Sequence, residues 1–286
     1  MRYIVAIAPT LAILSGFIAP MAIAPLTVAP AAMAQTLPVR VDRWLEIDQV
    51  YGTVFFQRGS QTEPAREGMR LQQVGDTLRT SSRSNAVLRV DTNTGIITVS
   101  PNTTIRILEI RTTESGGRVT RLEVTTGQAR FQVVPFTNPD SRMEIQTPAG
   151  SSAVRGTEFG VGVQPNGVTA VATLDGAVLA EAQGQSVQVD AGFQTLMVPG
   201  EPPLPPVETV QDLNLRLILL TTLDDRTARI RADVNPVNLV TVEDVLQTLN
   251  SQGEFDILVP LPANRRIVVV VTAPSGQEQT YELAVP

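Results

Sequence analysis

The chain predicts an all-β protein, on two observations. Val, Ile, Leu and Thr are plentiful while only 4% of residues are aromatic, a composition that suits pleated, half-buried surfaces better than helices. From about Trp44 onward, short apolar runs recur between Gly, Asn, Asp and Pro at near-regular intervals, the punctuation of strands joined by turns. Nothing before residue 200 has the 3.6-residue period of a helix.

The N-terminus is read first as an address. Met1-Arg2 is a short positive start, Tyr3 to Phe17 is apolar throughout, and Ala32-Met33-Ala34 is an A-x-A site ahead of Gln35. This is the pattern of a secretory signal peptide over 1–34, cleaved after Ala34. The competing reading is an uncleaved anchor, but Pro9, Pro20, Pro25 and Pro30 oppose one long spanning helix, at about 3 kcal/mol for each interior proline. No second segment reaches spanning length, so the mature chain is expected in the periplasm or outside the cell, without an integral membrane span.

Residues 44–198 read as one all-β domain. Tyr51–Phe56 is a strand and Gln57–Glu67 a polar loop. Ala86–Val90 and Ile96–Val99 flank the longer hairpin loop Asp91–Gly95. Thr104–Arg111 and Val119–Val124 meet across Ser115-Gly116-Gly117, and Thr126-Gly127-Gln128 leads into Ala129–Val134. Val168–Leu174, Ala177–Ala182, Val187–Val189 and Gln194–Val198 continue the pattern. Turns this frequent fit either a solenoid-like β-roll or a sandwich. Prolines then crowd Pro199–Pro206, a polyproline spacer opening a connecting segment over 199–224, in which Glu208–Leu223 is either a short helix or a strand. Residues 225–286 read as a small Ig-like β-sandwich, whose run Arg266–Thr272 has the continuous apolarity of a central strand buried on both faces.

Composition excludes several functions. All 22 basic residues are arginine, against 28 acids and a net charge of −6, so nothing attracts a nucleic-acid backbone. Without cysteine or histidine there is no thiol chemistry, no disulfide and no ordinary zinc site. The common general base and most covalent nucleophiles are missing, and Ser151-Ser152 does not sit in a nucleophile elbow. A carboxylate pair of the glycosidase kind survives elimination, but aromatic platforms are scarce. The pairs Asp224-Asp225 and Glu243-Asp244 lack calcium-loop spacing and read as solvated loop acids. No catalytic residue, metal site or cofactor is expected; the chain reads as a non-enzyme.

One stretch carries more information. Thr147-Pro148-Ala149-Gly150 is followed by Val154-Arg155-Gly156-Thr157-Glu158-Phe159-Gly160-Val161 and then by Leu174-Asp175-Gly176-Ala177-Val178. Upstream stands Val74-Gly75-Asp76-Thr77-Leu78-Arg79-Thr80, and downstream Val189-Asp190-Ala191-Gly192-Phe193-Gln194. In this order the segments resemble the FecR domain, the extracytoplasmic module of iron-dicitrate sensing proteins, with its T-P-x-G and V-R-G-T-x-F-x-V runs. The C-terminal residues resemble a bacterial Ig-like domain. The resemblance implies an envelope binding or sensing module. In the family's best-known members a cytoplasmic segment controls a sigma factor. Here only Met1-Arg2 precedes the apolar segment, so direct sigma-factor control is not expected.

Within that motif, Arg155, Thr157 and Glu158 are the candidate binding residues. A guanidinium fork suits a partner's carboxylate, but it equally suits capping carbonyls or pairing with Glu158 to hold a bend, and the latter is preferred because Gly156 lets the backbone turn there. Gly75, Asp76, Gly156, Phe159 and Gly176 are expected to be structural, Asp76 accepting backbone hydrogen bonds in a turn. The expected partner is an envelope protein, engaged through the roll or the Ig-like module, with strand addition at an exposed β edge as a mode. The alternative is a structural or adhesive role on cell-surface polysaccharide or peptidoglycan.

Overall fold

The computed structural model describes residues 43–286; the expected leader and its cleavage point lie outside them. The described residues form strands and turns with no helix among them, and the all-β class stands. The first strands are β1 (Leu45–Tyr51), β2 (Val54–Arg58), β3 (Gln61–Pro64) and β4 (Arg70–Leu71). The expected single strand Tyr51–Phe56 is broken at Gly52, where φ is +74°. The expected loop 57–67 contains β3, whose four residues are all exposed. Its apolar pattern is silent because pairing with β2 from Phe55↔Pro64 to Arg58↔Gln61 defines it, not burial.

Next come β5 (Thr77–Thr80), β6 (Asn85–Val90), β7 (Gly95–Val99), β8 (Thr104–Thr112) and β9 (Arg118–Val133). The turn expected at Thr126-Gly127-Gln128 is instead a bend inside β9. Gly127 has φ +84°, and a Cβ there would stand 2.3 Å from Thr103 Oγ1, so only glycine lets the strand change direction against its neighbour. The roll closes with β10 (Arg142–Thr147), β11 (Gly150–Val154), β12 (Glu158–Val163), β13 (Thr169–Asp175), β14 (Ala177–Ala182), β15 (Gln185–Asp190), β16 (Phe193–Met197) and β17 (Val207–Glu208).

These strands make two layers that share β9. One runs β4-β1-β6-β7-β9-β12-β13-β16-β17. The other runs β3-β2-β5-β8-β9-β10-β11-β14-β15. Every pairing is antiparallel except β9 with β10. The layers face each other as in a sandwich, and the chain passes to and fro between them as in a roll. Inward residues of both layers, among them Leu88, Ile107, Leu122, Phe131, Met143, Phe159, Val161 and Val178, form one continuous core. Period-two alternation is what lets one face of each strand enter it.

The C-terminal part has its own core. Its strands are β18 (Arg216–Asp224), β19 (Thr227–Asp233), β20 (Leu239–Val242), β21 (Val245–Leu246), β22 (Glu254–Pro260), β23 (Arg266–Thr272) and β24 (Glu278–Ala284). They form a β18-β19-β22 sheet and a β21-β20-β23-β24 sheet. The segment left open between helix and strand is therefore strand β18. Strand β23 is central, but Val268 is 38% exposed while Ile267, Val269 and Val271 are buried; one face is wet, because the opposing sheet covers only the other.

The proline stretch does not act as a free spacer. Leu204 donates its N–H to Leu196 at 3.0 Å, Thr195 Oγ1 donates to the Leu204 carbonyl at 2.6 Å, and Thr209 donates to Gly192 at 2.8 Å, pinning the segment along β16. The C-terminal module then packs on the outer face of β12 and β13. That face presents Gly160 and Gly162 opposite Ala172 and Ala170, a surface without bulk. Gln128, 2% exposed, donates Nε2 to the carbonyls of Ala273 at 2.7 Å and Pro274 at 3.1 Å. Gln164 donates Nε2 to Pro236 O at 3.1 Å and accepts the Leu249 N–H at 3.1 Å. At the rim, Arg83 pairs with Asp244 at 2.6 Å.

Candidate functional site

The turn Arg155-Gly156-Thr157 joins β11 to β12, and three contacts hold it. Thr157 exchanges two backbone hydrogen bonds with Val133 at the end of β9, both 3.0 Å, and Phe136 donates to the Arg155 carbonyl at 2.8 Å. The Thr157 hydroxyl, 3% exposed, donates to the Ala177 carbonyl at 3.0 Å. Gly156 sits at φ +145°, with space for a Cβ only 2.4 Å from Pro135 Cα, and Gly176 at φ +78° lies under the Gly156 carbonyl, its own Cβ position 2.8 Å from that oxygen. Two glycines and a buried threonine therefore make the bend.

The three candidate binding residues point in three directions. Thr157 faces inward and is spent on the Ala177 carbonyl. Glu158 lies along the sheet face, where Oε1 accepts from Arg130 Nε at 3.0 Å and Gln132 Nε2 at 3.1 Å. The Gln132 and Arg130 hydrogen bonds hold its carboxyl below the ordinary value, against a smaller effect of desolvation. Arg155 is thrown outward and exposed, donating Nη2 to the Asn138 carbonyl at 3.3 Å. The arginine thus does not pair with Glu158: Arg130, directly across the ladder from Gly160, reaches that carboxylate first. Beside Arg155 lies a shallow groove of about 320 Å³ lined by Arg118, Pro135, Phe136, Asn138 and Ser141 among others.

The structural candidates fall at junctions. Phe159 is fully buried and stacks on Phe131 with ring centroids 4.9 Å apart and planes 16° from parallel. Gly75 has φ +93° and open space where a Cβ would stand, so its conformation, not its size, is what the turn uses. Asp76 is 1% exposed. It receives Arg58 through both oxygens at 2.9 and 2.6 Å, and the Gln72 and Gln73 N–H groups at 2.8 and 3.0 Å. Burial pushes the Asp76 carboxyl up, but the Arg58 hydrogen bond and the two backbone donors together outweigh it, and its pKa lies below 3.8.

Other residues of comparable weight escape a reading of the sequence. Arg43 is 3% exposed in its side chain and pairs with Asp91 at 2.6 Å. It also donates to the carbonyls of Val119 at 2.6 Å and Arg111 at 3.0 Å, and to Thr120 Oγ1 at 2.8 Å. Nothing local marks it, since every partner lies 48 or more positions away. Gly160 and Gly162 did carry a signal: glycine alternating with valine in a strand implies close approach by something else, which here is the C-terminal module. Among the described residues no cluster of three or more potential metal ligands occurs.

Residues 76–179, from Asp76 to the middle of β14, match the family model described as FecR protein. This stretch is a FecR domain. It begins at Asp76, whose partners Arg58, Gln72 and Gln73 lie before it, and contains the bent β9 and the Arg155-Gly156-Thr157 turn, while β1 to β4 and β15 to β17 extend the layers on both sides of it. Among solved structures, two of a proposed anti-sigma factor from Parabacteroides distasonis are similar at 15% identity and a TM-score of 0.39, covering 46% of this chain and 59% of that one. A polysaccharide lyase is similar at 9% identity and a TM-score of 0.20, over 85% of this chain and 40% of that one. The chain thus spans less than two thirds of each of these structures. No curated protein matches.

Proposed function

We propose that this FecR-domain chain is an exported, non-catalytic binding or sensing module for a protein partner in the cell envelope, and that Arg155 offers the partner's carboxylate its contact. The observation that carries this is the exposed Arg155 side chain on a turn held by backbone and buried threonine hydrogen bonds. Most arginines of the described chain are already held in ion pairs, for example Arg43, Arg58, Arg130 and Arg229. Arg155 has only the 3.3 Å side-chain contact to the Asn138 carbonyl, while the bend itself is held through the Arg155 carbonyl and Thr157. A rigid mount with a free fork next to a groove is what bidentate recognition uses. The strand order of the C-terminal module, first-second-fifth against fourth-third-sixth-seventh, supports reading it as Ig-like.

The test is site-specific crosslinking in cells. The chain has no lysine, so a photoreactive residue at Thr137, exposed beside Arg155, replaces amine chemistry. One crosslinked envelope protein is expected, lost in Arg155→Ala and retained in Gln188→Ala on β15. Absence of any product, or a product indifferent to Arg155, overturns the reading; N-terminal sequencing that fails to begin at Gln35 overturns the export step.

A second reading, binding of an acidic surface polysaccharide, has one observation in its favour. A groove of about 640 Å³ over β2, β5 and β8 is lined by Phe55, Gln57, Thr77, Arg79 and Arg106, with no carboxylate in its lining. The Arg79 guanidinium lies 5.4 Å from the Phe55 ring centroid, an arrangement that pairs an apolar platform with positive charge in an acidic chain. Titration with a uronate polymer, compared with Arg79→Ala, tests it: saturable binding lost in the variant supports this reading, and no heat with either protein ends it.

A further inference from the structure

The edge strand β18 has a single neighbour among the described residues, β19. Its sequence is Arg216-Leu217-Ile218-Leu219-Leu220-Thr221-Thr222-Leu223-Asp224. Leu217, Ile218, Leu219 and Leu223 are 43%, 44%, 38% and 55% exposed. Edge strands are ordinarily blunted by lysine, proline, charge or β-bulges within the strand; here the charges stand only at the two ends, no proline interrupts, and the centre Leu219–Thr222 keeps regular register with β19. Two bulges, between Leu217 and Leu219 and between Thr222 and Asp224, lie one on each side of the centre and bend both ends.

The strand is complementary to itself when reversed. An antiparallel partner centred on Leu220 sets Leu220 against its own copy on a two-fold axis. Leu219 then faces Thr221, Ile218 faces Thr222, Leu217 faces Leu223, and Arg216 faces Asp224. Both ends thereby close on opposite charges, twice per pair of chains, and the apolar middle is covered. A strand with like charges at its two ends would repel in the same register. Two-fold self-pairing is also the commonest closed symmetry of soluble oligomers.

We infer that β18 is a self-association edge: two copies of this chain pair β18 to β18 antiparallel, in the register Arg216 to Asp224, continuing the β18-β19-β22 sheet across a two-fold axis. This stands independently of the partner proposed for Arg155, which lies on the roll. The ion pair Arg216 makes with Asp233 on β19 at 2.6 Å holds the guanidinium at that end of the strand.

Charge exchange tests the register. The purified chain is expected to double its molar mass with concentration in sedimentation equilibrium. Arg216→Asp puts two acids together at each end and Asp224→Arg puts two arginines together, so each variant alone is expected to associate at least about tenfold more weakly. Mixed one to one, the two variants restore both opposite pairs and a heterodimer is expected. Leu219→Lys, which leaves the charges alone, is expected to be monomeric even in the mixture with wild type. Thermal unfolding at wild-type temperature shows that each variant is folded, since an exposed pair such as Arg216–Asp233 contributes little. A wild-type chain that stays monomeric, single charge variants that associate like wild type, or a mixture that fails to do so each overturns the inference.

Discussion

A Cβ placed on Gly160 would stand 1.7 Å from the carbonyl oxygen of Pro274. The FecR domain and the C-terminal module meet at that point, backbone against backbone, with the buried Gln128 side chain bonded to the same segment.

Gly160→Val is therefore expected to undock the module without harming the roll, because the inward neighbours Phe159 and Val161 are unchanged. Limited proteolysis should find the docked turns at Leu249 and Ala273–Ser275, buried in wild type, newly accessible, and calorimetry should resolve two transitions where wild type shows one. A single transition with unchanged protection would mean that the contact is not what joins the parts.

At the bend, Gly156→Ala and Arg155→Ala should separate cleanly. Adding a Cβ 2.4 Å from Pro135 Cα forces the backbone and should cost about 2 kcal/mol or more. Removing the exposed arginine side chain should cost about 0.5 kcal/mol or less. Equal losses in chemical denaturation would mean that the arginine, not the glycine, ties the turn.

Arg43→Met should be among the most damaging single changes, leaving Asp91 charged, buried and unpaired, at about 3–5 kcal/mol. Arg43→Met combined with Asp91→Leu should recover part of that loss, since no orphan charge then remains. Strict additivity in the double-mutant cycle would contradict the pairing.

Acid sensitivity should trace to Asp76. Its folded pKa is depressed below 3.8, so its contribution is complete above that value and is lost as pH falls from there through the folded pKa. Asp76→Asn should cost about 1–3 kcal/mol at neutral pH, the lower part of the range because Arg58 is 40% exposed and can turn to water. The variant's stability should also depend less on pH below 3.8. An unchanged acid limb in urea melts at successive pH values would assign the titration to other carboxylates.

The sequence by itself determined the all-β class, most strand positions and the motif that marks the FecR domain, because alternation and turn residues act within a few positions of each other. It also marked Gly75, Gly156 and Gly176, whose torsions are local demands. It did not determine β3, which has no buried face and exists only through its pairing with β2, or the continuity of β9, which bends where a turn was expected. Tertiary structure alone decided which carboxylate each arginine takes: Arg130 and not Arg155 for Glu158, and Arg43 for Asp91 across 48 positions. It alone placed Gln128 against Ala273, 145 positions on. Arginine carries the same fork wherever it stands, and only the folded layers bring one acid within its reach and take another out of it.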